Sequence, residues 1–96
     1  MNGVIWKYPV DIIDKQIIEM TQVAKMLCVQ IQGKEKFIWA EVNPMIAEHN
    51  NKLEERIIRV FGTGSNIPEF INLNYIGTVQ EGNFFVFVYH FFEEVK

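Results

Sequence analysis

The hydrophobic pattern of this chain has the two-residue period of β-strands through most of its length. In a strand, successive side chains point to opposite faces, so strict alternation marks a half-buried strand and turn residues punctuate it. Residues 3–8 alternate aromatic and aliphatic positions and stop at Pro9. Residues 15–20 form a short apolar run around Ile17 and Ile18. Over 25–32, Leu27, Val29 and Ile31 occupy one face and Cys28, Gln30 and Gln32 the other. Gly33-Lys34-Glu35 breaks that run and 36–42 resumes it, which predicts a hairpin. Further strands are predicted at 56–61, 75–80 and 84–92, separated by Gly62-Thr63-Gly64 with a connection carrying Pro68, and by Glu81-Gly82-Asn83.

Residues 45–55 are charged and weakly patterned, and they read as a mobile loop. The rival reading concerns 11–27, where Ile13, Ile17, Met20, Ala24 and Leu27 fall at helical spacing behind Asp11. Ile12, Ile18 and Val23 lie off that stripe and β-branched residues are frequent, which favours strands. The expected architecture is a single all-β domain over 1–96, a compact antiparallel β-sandwich or partly open barrel of about seven short strands.

The last predicted strand departs from simple alternation. Eight of its nine residues are apolar and six are aromatic. Phe84, Val86 and Val88 would fill one face, while Phe85, Phe87, Tyr89 and Phe91 fill the other. A domain this small can rarely cover both faces of a strand by itself, so a partner or a second copy of the chain is expected there. Phe85, Phe87, Tyr89 and Phe91 are the candidate interface residues, and a homo-oligomer through this strand is the expectation. Glu93 and Glu94 end the strand with charge that restrains aggregation.

Composition narrows the function classes. The formal net charge is −3 and the nine Lys and Arg residues are scattered. Bulk nucleic-acid or anionic-membrane binding needs a basic face that this chain lacks. The start of the chain has no signal-peptide pattern, and no apolar run reaches the roughly 18 residues of a membrane span. Those features point to the cytoplasm. Cys28 has no partner for an internal disulfide and reads as an inert thiol. His49, His90 and Cys28 sit in separate elements, so no metal site or cofactor is expected. Glu41, Glu93 and Glu94 are not placed together by any motif, and no catalytic constellation emerges.

The motifs Ile5-Trp6-Lys7-Tyr8, Leu27-Cys28-Val29-Gln30-Ile31-Gln32, Trp39-Ala40-Glu41-Val42-Asn43-Pro44, Arg59-Val60-Phe61-Gly62-Thr63-Gly64, Tyr75-Ile76-Gly77-Thr78-Val79-Gln80 and Val88-Tyr89-His90-Phe91-Phe92-Glu93 follow one another in order. Together they resemble a family of small proteins of unknown function, encoded mostly by bacteriophages and prophages. The resemblance spans nearly the whole chain. It implies a phage accessory protein acting in the cytoplasm of an infected bacterial host, with no assigned activity. The chain departs from the family pattern at Thr21-Gln22-Val23, where relatives tend to carry a Pro and Gly turn, and in the long segment after Pro44.

Two functional expectations follow. The first is a non-catalytic protein that blocks a host component, such as an antiviral defence factor, by protein–protein contact. The second is a sponge for a nucleotide-like signal, its site joining Gly62, Thr63 and Gly64 to Trp6, Lys7, Arg59 and Tyr75. Glycine amides can cradle a phosphate, hydroxyls and cations add donors, and aromatic rings stack on a base. Against this, no Lys follows the glycines as in a P-loop, and a plain strand-ending turn is the favoured reading of them. A minor virion or packaging component is a third possibility.

Overall fold

A computed structural model describes residues 3–49 and 52–96 of the chain. Seven strands run β1 (Val4–Pro9), β2 (Lys15–Thr21), β3 (Lys25–Gln32), β4 (Glu35–Val42), β5 (Leu53–Gly62), β6 (Asn72–Glu81) and β7 (Phe87–Val95), with one short helix α1 (Pro44–His49) between β4 and β5. They form two antiparallel sheets, β1-β4-β3 and β2-β5-β7-β6. The chain is therefore all-β, as the alternation predicts. The smallest extent of the molecule is 19 Å, as expected for two sheets packed about 10 Å apart with their outward side chains. The sheets do not close into a barrel: β3 bonds only to β4, and β6 only to β7.

The core lies between the sheets. Ile38 and Val42 of β4 face Met20 of β2, Ile58 of β5 and Phe91 of β7, all fully buried. Complete burial of side chains this size contributes about 1.5–3 kcal/mol each. One end of the core carries an ion pair. The Arg56 guanidinium bonds both carboxylate oxygens of Glu93, with the Nη2–Oε1 distance 2.9 Å. It also donates to the Ala24 carbonyl at 2.8 Å. The bond to Glu93 outweighs burial and raises the arginine pKa above its ordinary value.

Two β-bulges set which side chains reach which face. One falls between Met26 and Cys28 in β3, the other between Tyr75 and Gly77 in β6. In β6 the extra residue is Ile76, which turns into the core, and the pleat changes phase across it. Val79 then pairs with Tyr89 on the core side, while Tyr75 pairs with Phe92 on the outer side. In β3 the same device separates Met26 and Val29, which both meet the core. Leu27 is left 41% exposed, so Leu27 and Val29 do not share a face as simple alternation predicts. The two bulged strands approach closely. A Cβ added to Gly77 would lie 2.9 Å from Val29 Cγ1 and 3.2 Å from the Val29 backbone nitrogen, so the corner requires glycine.

Within residues 11–27 the favoured strands form rather than the rival helix: β2 and β3 are joined by a turn in which the Ala24 amide bonds the Thr21 carbonyl. Other sequence expectations change. The segment 45–55 is not one loop. Asn43 caps α1 by accepting from the Met45 amide at 3.0 Å, Pro44 occupies the first helical position, and β5 begins at Leu53. The side chain of His49 lies outside the described residues. The last strand starts at Phe87 rather than Phe84 and is flanked on both edges by β5 and β6. Phe91 is wholly buried and closed to a partner, while Tyr89 is half-buried with its side chain packed against the core. The chain covers both faces of β7 largely by itself, the inner with the opposing sheet and the outer with its own aromatic neighbours.

Candidate functional site

The outer face of the four-stranded sheet holds a cluster spread over three neighbouring strands. β5 supplies Arg59 and Phe61, β7 supplies His90, Phe92 and Glu94, and β6 supplies Tyr75 and Thr78. Residues paired across an antiparallel ladder share a face, and the β6 bulge is what brings Tyr75 onto this one. Phe61, Phe92 and Tyr75 form an edge-to-face chain with centroid separations of 5.8 and 5.5 Å. Such pairs are worth about 0.5–1.5 kcal/mol beyond the area they bury. Beside them, His90 is held by both ring nitrogens. Thr63 Oγ1 lies 3.0 Å from Nε2 and Thr78 Oγ1 lies 3.0 Å from Nδ1, with the Tyr75 hydroxyl bonded to Thr78 in turn. His90 thus cross-links the start of the β5–β6 connection to β6.

Arg59 is largely engaged within the fold. Its Nη1 meets Glu94 Oε1 at 2.8 Å, its Nε donates to the Asp14 carbonyl at 3.2 Å, and its guanidinium sits 5.5 Å from the Phe61 ring centroid. A surface depression of about 290 Å³ lies beside it, lined in part by Asp14, Phe61, Gly62, Ser65 and Asn66. The glycine turn does not present a row of free amides. The Thr63 amide bonds the Val88 carbonyl at 3.1 Å and the Ser65 amide bonds the Gly62 carbonyl at 3.0 Å. Gly62-Thr63-Gly64 is built as a strand-ending turn. A phosphate there would find the Thr63 and Ser65 amides already engaged and Arg59 already paired with Glu94.

The structure places Arg59, Gly62 and Tyr75 on the four-stranded sheet with Thr63 and Gly64 in the turn that follows β5, and leaves Trp6 and Lys7 on the other sheet. Lys7 pairs with Trp39 on the outer face of the three-stranded sheet, where Nζ stands 4.4 Å from the Phe37 ring centroid and 2.8 Å from Gln32 Oε1. Trp6 pairs with Ala40 on the inner side and is 41% exposed. Lys7 and Arg59 therefore decorate opposite outer faces of the sandwich, and the seven candidate ligand residues do not converge on one pocket.

The candidate interface residues divide in a different way. Phe85 and Phe87 are 77% and 57% exposed, and Phe84 and Val86 between and before them are 97% and 59% exposed. These four side chains form the tip of the β6–β7 hairpin. The tip folds back on itself at Gly82, where φ is +130° and an added Cβ would meet the Phe85 carbonyl oxygen. Lys36 and Glu81 close an ion pair of 3.0 Å beneath it. Among the described residues there is no cluster of three His, Cys, Asp or Glu side chains able to hold a metal ion. No described helix is long and apolar enough to cross a membrane.

His90, a single polar position inside an aromatic strand, reads from the sequence as a hydrogen-bonded, partly buried residue rather than a metal ligand, and the structure places it so. Its partners are not legible in the sequence: Thr78 lies opposite it in the β6–β7 register and Thr63 in the turn after β5. A sequence model for a family described as a domain of unknown function (DUF7352) matches residues 1–96. No curated protein and no solved structure shows a match.

Proposed function

The chain belongs to that DUF7352 family, a domain of unknown function, and we propose that it is a non-catalytic binding protein that docks on a protein partner through the tip of the β6–β7 hairpin. In this reading it acts in the cytoplasm of an infected bacterium and blocks a host component such as a defence factor. The phage setting is supported by the sequence resemblance, and the docking surface by one structural observation. Four consecutive large apolar side chains, Phe84 to Phe87, stand out in solvent at a hairpin tip. Burying them in a partner would be worth roughly 6 kcal/mol before the costs of association. Its four exposed side chains are all apolar, so the tip suits an apolar cleft in a protein better than a charged surface.

The test is capture of partners from bacterial lysate by the immobilised chain, compared with a Phe84→Asp/Phe85→Asp variant. Both side chains are exposed, so the variant should keep its fold and its melting temperature while losing a stoichiometric protein partner. A variant that retains the same partners refutes the docking surface. The sponge reading is served less well by the geometry, because Lys7 lies on the far side and Arg59 is engaged with Glu94. A stoichiometric small adduct in the native mass spectrum, lost on Arg59→Ala, would favour it instead. Co-purification with phage particles would favour the virion component.

A further inference from the structure

We infer that β1 is the surface through which two copies of this chain join, edge to edge and antiparallel, extending the three-stranded sheet across a two-fold axis. The inference starts from the backbone. Val10 donates to the Lys36 carbonyl at 3.0 Å, continuing the register in which Pro9 lies opposite Phe37. In an antiparallel ladder the bonded residues alternate, so Val4, Trp6 and Tyr8 direct their backbone groups to β4. Ile5, Lys7 and Pro9 direct theirs away from the sheet. Pro9, which has no N–H, occupies an outward position, where nothing in this chain needs one.

The four sheet edges are not equivalent. The facing edges of β3 and β6 both carry bulges and meet at the Val29–Gly77 contact, which guards them. The edge of β2 carries the exposed charges Lys15 and Glu19. β1 pairs with β4 through an unbroken register and has one charged residue, Lys7. An edge lysine ordinarily blocks strand addition. Here Lys7 reaches across the sheet face instead, with Nζ bonded to Gln32 of β3 and lying over the Phe37 ring. The edge is left apolar, with Val4, Ile5 and Trp6 at 39%, 61% and 41% exposure.

A second copy fits this edge because the strand is self-complementary about Trp6. With the two Trp6 residues opposed, Ile5 of each copy faces Lys7 of the other, and these are the residues with outward backbone groups. Each such pair exchanges both N–H···O bonds. Gly3 falls opposite Pro9, where its N–H meets a carbonyl and the missing proline donor costs little. On the inner side the Trp6 rings meet in a non-bonded pair, the closer kind, and Val4 meets Tyr8. Centring the pair on Lys7 would oppose like charges.

Sedimentation equilibrium over a concentration series, with amide hydrogen exchange on the same samples, tests the assignment. The expected result is a dimer of the 11.3 kDa chain in which the Ile5 and Lys7 amides gain protection as concentration rises. The Trp6 and Tyr8 amides, bonded to β4, should be protected at every concentration. Ile5→Pro removes an outward donor that β4 does not use and should give a folded monomer. A chain that stays monomeric up to the concentration of an NMR sample overturns the proposal. So does a dimer with freely exchanging Ile5 and Lys7 amides, or one that Ile5→Pro leaves intact.

Discussion

Gly77→Ala puts the β3–β6 corner to a quantitative test. The added methyl would lie 2.9 Å from Val29 Cγ1, closer than carbon atoms approach without displacement, and 3.2 Å from the Val29 nitrogen. Val29 is buried to 3% exposure, so its side chain cannot swing into solvent to make room. The φ angle at Gly77 is not in the left-handed region, so the cost is steric rather than conformational. Overpacking of this kind costs about 1–3 kcal/mol. For a domain of this size each kcal/mol lowers Tm by roughly 4–8 °C. Thermal unfolding followed by circular dichroism should therefore show a Tm lowered by roughly 4–24 °C, given those two ranges.

The mechanism is separable from a general loss of stability by a double-mutant cycle with Val29→Ala. That change alone creates a small cavity and destabilises. In its presence the methyl at residue 77 no longer meets Cγ1, and only the approach to the backbone nitrogen remains. Gly77→Ala should then cost less than in the parent chain, with a coupling of about 0.5–2 kcal/mol, the size seen for residues in direct contact. An unchanged Tm for Gly77→Ala, or strict additivity in the cycle, would refute the close approach of the two strands.

Arg56→Leu leaves the Glu93 carboxylate without its partner at a site where the two side chains are only 16% and 17% exposed, and should destabilise by about 2–4 kcal/mol in urea unfolding. The Arg56→Leu/Glu93→Leu pair should recover most of that loss. Because the folded-state pKa of Arg56 is raised, its contribution is fully present below the ordinary arginine value and fades only above it, so this pair predicts flat stability through neutral pH. Tyr8→Phe removes a hydroxyl that is buried without a hydrogen-bond partner among the described residues, and Tm should hold or rise.

The alternation of apolar residues made the strands legible because each sheet buries one face, and a one-residue slip would expose the whole set. β3 could be read to its ends. β7 could not, since residues 84–86 have the composition of a strand and no neighbour to pair with. Pattern registers what a residue prefers, while strand bounds depend on where the adjacent strand stops. The bulges were hidden for a related reason. Gly77 was the available marker, as glycine within a strand often signals a bulge. The helix after Asn43 was signalled by the Asn-Pro pair at its start and obscured by the polar residues that follow.

The candidate site shows why aromatic surplus is a poor guide to contact surface in a sandwich this small. Phe91 and Phe92 are adjacent, equally apolar in sequence, and do different work: one fills the core, and the other anchors the outer ring cluster with Phe61 and Tyr75. The four-stranded sheet thus uses aromatics on both faces to stabilise itself. What it cannot absorb is the run that overshoots the ladder. Phe84, Phe85 and Val86 lie beyond the last β6–β7 pair, Glu81 with Phe87, so no strand is left to cover them. Their exposure follows from hairpin length rather than from composition. Shortening the hairpin by those three residues should therefore leave the core, the Arg56–Glu93 pair and the His90 cross-link in place while removing the docking tip. A shortened chain that lost its cooperative unfolding would show the tip to be part of the fold.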